Sequence, residues 1–345
     1  MSLARAIETG DLTQLPSRRD EDWRWTDLRG LIRALPAPSP ADDASLAPGP
    51  FAGIPGAEWR VVNGRGPARL DIPAGENRVV ALRFVATPRA GAHAARLAIA
   101  VGEGASLTLL ESYEGGAPDY VAQAEIEITV HPRARLERIV IAKDCAEAVS
   151  ISQAEVGLAA ASQFAQTVLT SGAKRQRIET RVSHPGAGAS ARLDGLYLLA
   201  DKRHADITTV VTHTGIDGAT DQLVKGVVAD QARGVFQGRI VVAPGADKTE
   251  ARMGHHALIL SDRAEIDAKP ELEIHADDVV CAHGNTVGAL DEEALFYARQ
   301  RGIPEPEARA MLTEAFLAEV VDRIEHDGAR DVARAWLAER LGASS

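Results

Sequence analysis

Cysteine is almost missing from this chain: two residues, Cys145 and Cys281, occur in 345. Two cysteines so far apart, behind a start with no export signal, do not make a disulfide framework and leave free thiols. Met1-Ser-Leu-Ala-Arg5 runs into Ala6, Ile7, Glu8 and Thr9 without the apolar segment of a secretory leader, which points to the cytosol. No run of about 18 apolar residues exists to span a bilayer. Positive charge is short as well: 38 lysines and arginines against 49 acidic residues leave −11, a field that repels nucleic acid phosphates. Lys174-Arg175-Gln176-Arg177 and Lys202-Arg203-His204 lack interleaved aromatics and read as solvated faces. What remains, 45% hydrophobic residues with 25% charged, is ordinary globular composition with material for a large core.

Recognisable enzyme motifs are missing too. Pro244-Gly-Ala-Asp-Lys-Thr249 superficially resembles the end of a phosphate-binding loop, but Asp247 stands where glycine must precede the lysine, and its carboxylate would repel phosphate. No Gly-x-Gly-x-x-Gly opens a helix, and no Gly-x-Ser-x-Gly offers a nucleophile elbow.

The chain divides by its periodicity into three parts. Residues 1–58 hold a short helical start with Trp23 and Trp25, then the Leu35-to-Pro50 stretch, whose prolines cannot hold a helix and read as a linker. Residues 59–284 alternate with period two (Leu97, Ile99, Val101; Ile126, Ile128, Val130; Ile207, Thr209, Val211; Leu258, Leu260; Leu272, Ile274), the mark of short strands with one face inward. Their turns also rhyme: Val101-Gly-Glu-Gly-Ala-Ser-Leu107 matches Val130-His-Pro-Arg-Ala-Arg-Leu136, and Val182 and Val242 open related turns. Spacings of 29, 52 and 60 between those valines fit one or two units of an irregular period, as in a solenoid; a β-sandwich or jelly roll shares the same strand pattern.

Residues 285–345 turn helical. Asp291 is the first N-cap, Gly302 and Pro304 break the pattern, and Leu312, Phe316, Val320 and Ile324 form a stripe at spacing four. Twelve acidic against seven basic side chains make this tail negative. The stripe could dock on the chain's own solenoid end or on a partner.

Chemistry concentrates in Lys269 to Gly288. If Val279–His283 is extended, Cys281 and His283 share a face, placing a thiol and an imidazole a few ångströms apart. Such a pair suits soft and borderline metals, iron in sulfide clusters included, but needs further ligands from elsewhere. A buried cysteine beside a turn histidine is the bland alternative. Cys145 has no such neighbour. His255 and His256, being adjacent, point apart, and His275 reaches the pair only along an unbroken strand.

Ser261-Asp-Arg-Ala-Glu, Lys269-Pro-Glu-Leu-Glu-Ile, Ala276-Asp-Asp-Val, Cys281-Ala-His-Gly-Asn-Thr-Val-Gly and Leu290-Asp-Glu-Glu-Ala-Leu-Phe-Tyr-Ala-Arg-Gln-Arg-Gly-Ile303 closely resemble the C-terminal signature of the SufB/SufD family of iron–sulfur cluster assembly proteins, in its SufD form. Glu21-Asp-Trp-Arg-Trp-Thr-Asp-Leu28 resembles the family's opening motif. Ala282, Asn285 and His275 depart from it, where serine, alanine and an aromatic are commoner. The resemblance implies a mainly β fold: a right-handed parallel β-helix flanked by N-terminal and C-terminal helices. It implies a non-enzymatic scaffold in the SufBCD complex that forms a heterodimer with SufB and engages the SufC ATPase through the C-terminal helices. A transient iron–sulfur cluster would form at the SufB interface, with no cofactor held stably by the lone chain, which could instead form a homodimer. The family's interface histidine maps onto His283, with Cys281 beside it as a tentative co-ligand. Competing classes are a β-helix carbohydrate enzyme, disfavoured because adjacent Asp277 and Asp278 would point apart, and a purely structural interaction protein.

Overall fold

From Ala57 onward, runs of about ten residues alternate apolar and polar side chains and end at turns, and each run is a strand. The computed structural model describes residues 2–42 and 45–342. One sheet is built from β1 (Ala57–Val62), β3 (Asn77–Ala86), β5 (Ser106–Gly115), β7 (Arg135–Lys143), β9 (Gln163–Thr170), β11 (Ser190–Leu199), β13 (Ala219–Val228), β15 (Glu250–Ile259) and β17 (Val280–Gly288). The other holds β2 (Arg69–Ile72), β4 (Ala92–Val101), β6 (Val121–Val130), β8 (Val149–Leu158), β10 (Arg175–His184), β12 (His204–His213), β14 (Arg233–Val242) and β16 (Glu265–Ile274). Each strand pairs in parallel with the next but one in sequence, so the chain winds as a parallel β-solenoid of about eight turns. The sandwich alternative is thereby set aside, since its strands pair antiparallel.

Inward residues of both sheets stack coil on coil into one apolar core running from Val61 to Ala264. The turns join the same stack: Gly104, Arg133, Ala161, Gly188, Asp217 and Lys248 all have left-handed backbones, and each donates its N–H to the turn one coil above. This is why Val101–Leu107 and Val130–Leu136 rhyme: Val101 and Val130 are register partners, and Ala105, Leu107, Ala134 and Leu136 are buried behind them. Val182 does not belong to that file. It pairs with Val156, and the position matching Val101, Val130 and Val242 is filled by His184 and then His213, stacked at 4.1 Å in the core. Two polar residues at valine positions hid the true repeat.

The N-terminal segment lies along the outer face of the even-numbered sheet. Helix α1 (Leu3–Thr9) packs on β4 and β6, with the Ala4 N–H donating to Gln123. Trp23 stacks 4.5 Å from the Arg177 guanidinium, and the Thr26 hydroxyl donates to Asp206 before the short α2 (Leu28–Leu31). The proline stretch is more than a linker: Pro38 bridges to Ala92, and Ser39 is buried, accepting from Gly91.

Helices α3 (Glu292–Gln300), α4 (Glu305–Val321) and α5 (Asp327–Gly342) follow β17. Asp291 caps α3 as expected, accepting from the N–H groups of Glu293 and Ala294. The tail lies flat on the outer face of the odd-numbered sheet and does not sit on a solenoid end. Val320 and Ile324 are fully buried there with Leu317, Trp336 and Leu337 against Leu110, Ile139, Leu169, Leu196 and Val227. Phe316 lies half-buried beneath the ammonium of Lys225, which also pairs with Glu319. Leu312 is half-buried. Val320 and Ile324 are therefore engaged with the chain's own sheet and are closed to a partner, whereas Leu312 and Phe316 keep part of their surface.

Candidate functional site

The solenoid ends open at its C-terminal side. Among the described residues, nothing pairs with the outer edge of β16 or of β17. Inward apolar side chains that a further coil would cover are exposed there: Ile274 and Val287 are 42% and 45% exposed.

Register fixes what β17 presents. Cys281 pairs with Ala251 and His283 with Met253, both buried inward residues of β15, so Cys281 and His283 do share the core-facing side of the strand. Cys281 is half-buried against the core. That burial pushes its thiol above the ordinary range, partly offset by a hydrogen bond to the backbone of Ala251. His283 has no strand over it and is exposed. The Val280 N–H donates to Thr249, so the even-numbered residues bond down to β15. The N–H and C=O groups of Cys281, His283, Asn285 and Val287 consequently point along the open edge. An added strand would bond to the same residues whose side chains face inward, and its own inward side chains would stack about 4.8 Å above Cys281 and His283.

Among the described residues, no three histidine, cysteine or acidic side chains gather to hold a metal. The donor pair fits thiophilic chemistry, but as half of a site. His275 does not join it. The segment after Ile274 turns from one sheet to the other before Val280, and His275 instead meets Glu273 at 3.0 Å. His255 and His256 point apart as expected, His256 to Thr286 and His255 inward. Cys145, half-buried, donates to the carbonyl of Gly115 in a distant turn. Asp277 and Asp278 lie exposed in the turn before β17. Pro244–Thr249 leads into strand β15, not a helix, so no helix N-terminus awaits a phosphate.

A polar chain unforeseen from sequence runs through the core to this end. Tyr197 of β11 reaches His255 Nε2 at 2.9 Å, and His255 Nδ1 lies 2.7 Å from Oδ1 of Asn285. The imidazole stacks on Phe236 at 4.8 Å, and burial lowers its pKa to about 4, leaving it neutral. Gly226 and Gly234 make room for the Tyr197 ring; a Cβ there would stand 1.9 and 2.4 Å from it. The signal was present as Asn285, one of the three departures from the family signature. Deeper in the core Arg138 pairs with Glu111 at 2.6 Å and donates to Gln166.

These features define the class: a parallel β-solenoid whose last strand carries a Cys-x-His pair on an open edge. Residues 84–316 match the SufBD core domain of the SUF iron–sulfur cluster assembly system. The chain is 33% identical over 242 residues to the iron–sulfur cluster assembly protein SufD of Escherichia coli, covering 69% of this chain and 57% of that protein. It is 29% identical to the SufBD family protein slr0076 of Synechocystis over 66% of this chain and 52% of that protein. The SufBD family protein ML0594 of Mycobacterium leprae matches at 28% identity over 91% of this chain and 87% of its own length. The chain thus spans little more than half the length of the first two relatives. It belongs to the SufB/SufD family of iron–sulfur cluster assembly proteins.

Proposed function

We propose that the chain is a non-enzymatic scaffold of the SUF machinery, working in the cytosol, that pairs through its open end with a SufB-type chain. The nascent cluster, as cargo, is assembled where the two solenoids meet, and His283 and Cys281 are this chain's contribution. One observation carries the reading: the two side chains face inward on a strand whose open edge bonds through the same residues, so pairing by a partner strand closes the half-site. His283 serves as ligand or proton carrier; Cys281 shapes the site or binds beside it. ATP turnover belongs to a SufC-type partner docked on the helical tail. With Val320 and Ile324 buried, the docking residues we assign are Phe296 and Tyr297 of α3 and Met311 of α4, exposed at 63%, 60% and 50%.

The test is His283→Ala and Cys281→Ser in the complete complex. His283→Ala should leave folding and assembly intact, since the ring is exposed, and reduce iron–sulfide formation; unchanged rate and yield would overturn the role given to His283. A smaller loss in Cys281→Ser assigns the thiol to shaping the site, an equal loss to ligation.

A further inference from the structure

Asn285 occupies the inward position of β17 that follows Cys281 and His283, in register with His255 of β15. Two residues of extended strand separate it from His283, about 6.6 Å. The polar chain behind it decides which end of its amide is free. His255 lies wholly buried and flat on Phe236. Being neutral, it carries a proton on one ring nitrogen and accepts on the other. Nδ1 faces Oδ1 of Asn285 at 2.7 Å, and Nε2 faces the hydroxyl of Tyr197 at 2.9 Å.

The Tyr197 hydroxyl fixes the tautomer. It is wholly buried, and among the described residues His255 is its one hydrogen-bond partner, so its proton has Nε2 as its acceptor. A proton on Nε2 would leave the phenolic proton unsatisfied in the core, at a cost of about 1–3 kcal/mol. Nδ1 therefore carries the imidazole proton and donates to the amide oxygen. The amide nitrogen of Asn285 is turned off His255 as a result, and it has no partner among the described residues on a side chain that is exposed. Packing holds the chain in this state: Gly226 and Gly234 seat the Tyr197 ring, and Phe236 seats the imidazole.

We propose that Asn285 is a third member of the half-site in this chain: its amide N–H groups donate to the anionic sulfur of the nascent cluster, and His255 and Tyr197 are the positioning residues that keep the donor outward. The inference rests on the half-site proposed above and adds a group for the sulfur, where the Cys-x-His pair answers to the iron. Sulfide closed off from water under a partner strand loses its hydration, and a fixed N–H donor replaces part of it. Hydrogen bonds to cluster sulfur are one of the levers by which a protein tunes such a centre. Turned the other way, the amide would offer its oxygen, an acceptor that repels sulfide.

Two measurements test this. Imidazole nitrogen NMR of the full chain with isotope-labelled histidine, His255 being assigned by difference from His255→Leu, should find the proton on Nδ1; a proton on Nε2 overturns the proposal. In the complete complex, reconstituted with ferrous iron and sulfide, Asn285→Ala and Asn285→Asp should each hold the cluster about tenfold less tightly against a chelator, the loss of one hydrogen bond to a charged acceptor. Asn285→Asp keeps an oxygen for His255, so amide exchange in its β17 should match wild type, which separates a lost donor from a loosened strand. Wild-type retention of the cluster by Asn285→Asp overturns the proposal. His283→Ala, run alongside, separates the two readings. A loss there with Asn285→Asp unchanged overturns this inference alone, and no loss in either overturns the half-site with it.

Discussion

His255 holds Asn285 across the last rung of the solenoid, its Nδ1 2.7 Å from the amide oxygen, while its other nitrogen meets the hydroxyl of Tyr197 at 2.9 Å. The edge strand bearing Cys281 and His283 is thereby tied to a side chain three coils deeper. His255→Leu keeps the volume roughly but strands a buried hydroxyl, which costs about 1–3 kcal/mol, and releases Asn285. We expect that loss in urea denaturation, together with faster amide exchange confined to β17; unchanged exchange in β17 would refute the tie.

Gly226 is required by a neighbour's ring, not by its own backbone. Its φ is not positive, yet a methyl group there would sit 1.9 Å from the ring of Tyr197. Gly226→Ala should destabilise by about 1–3 kcal/mol, as overpacking does. In a Tyr197→Leu background the added penalty should largely vanish, and a double-mutant cycle without coupling would count against the contact.

The fold was readable where side chains alternate cleanly, as in Leu97–Val101 and Ile126–Val130, because each of these coils buries the same apolar positions. It was unreadable where buried polar residues took those places. His184 and His213, stacked ring on ring in the file of Val101, and Arg138 paired with Glu111 in the core, carry the polarity of surface residues yet lie inside. The Cys281–His283 face followed from strand parity alone. That the α4 stripe would lie on the flank of the solenoid did not, because an apolar stripe states that a surface is needed and not which one.

Burial also sets the response to acid. His93, His213 and His255 are lowered to about 4, and His184 and His204 to about 3, from an ordinary value near 6.5, in each case mainly by desolvation. The unfolded chain takes up these protons first as pH falls, so the stability they confer is complete above about pH 6.5 and drains away towards pH 4. Asp194, raised by burial to about 7, acts in the opposite sense, as do buried Glu137 and Asp144. Glu155 is raised by burial as well, and five imidazoles outweigh four carboxyls, each changing stability by up to about 1.4 kcal/mol per pH unit. The unfolding free energy should be lower at pH 5 than at pH 7 by urea titration, and His213→Leu should flatten that slope. A rise in stability towards pH 5 would contradict the assignment.

The two thiols give a direct readout of partner addition at β17. Both are half-buried and both are pushed upward by burial, Cys145 further by the neighbouring Asp144 carboxylate. Since the thiolate is the nucleophile, each should react with iodoacetamide at pH 8 more slowly than a free cysteine. Pairing through the open edge places a strand directly over Cys281, whereas Cys145 sits beside Gly115 in a turn several coils away. Saturation with a SufB-type chain should therefore slow alkylation of Cys281 by tenfold or more and leave Cys145 unchanged, as followed by peptide mass analysis. Equal protection of both would indicate a general tightening of the chain, and no protection of Cys281 would mean that the partner binds elsewhere.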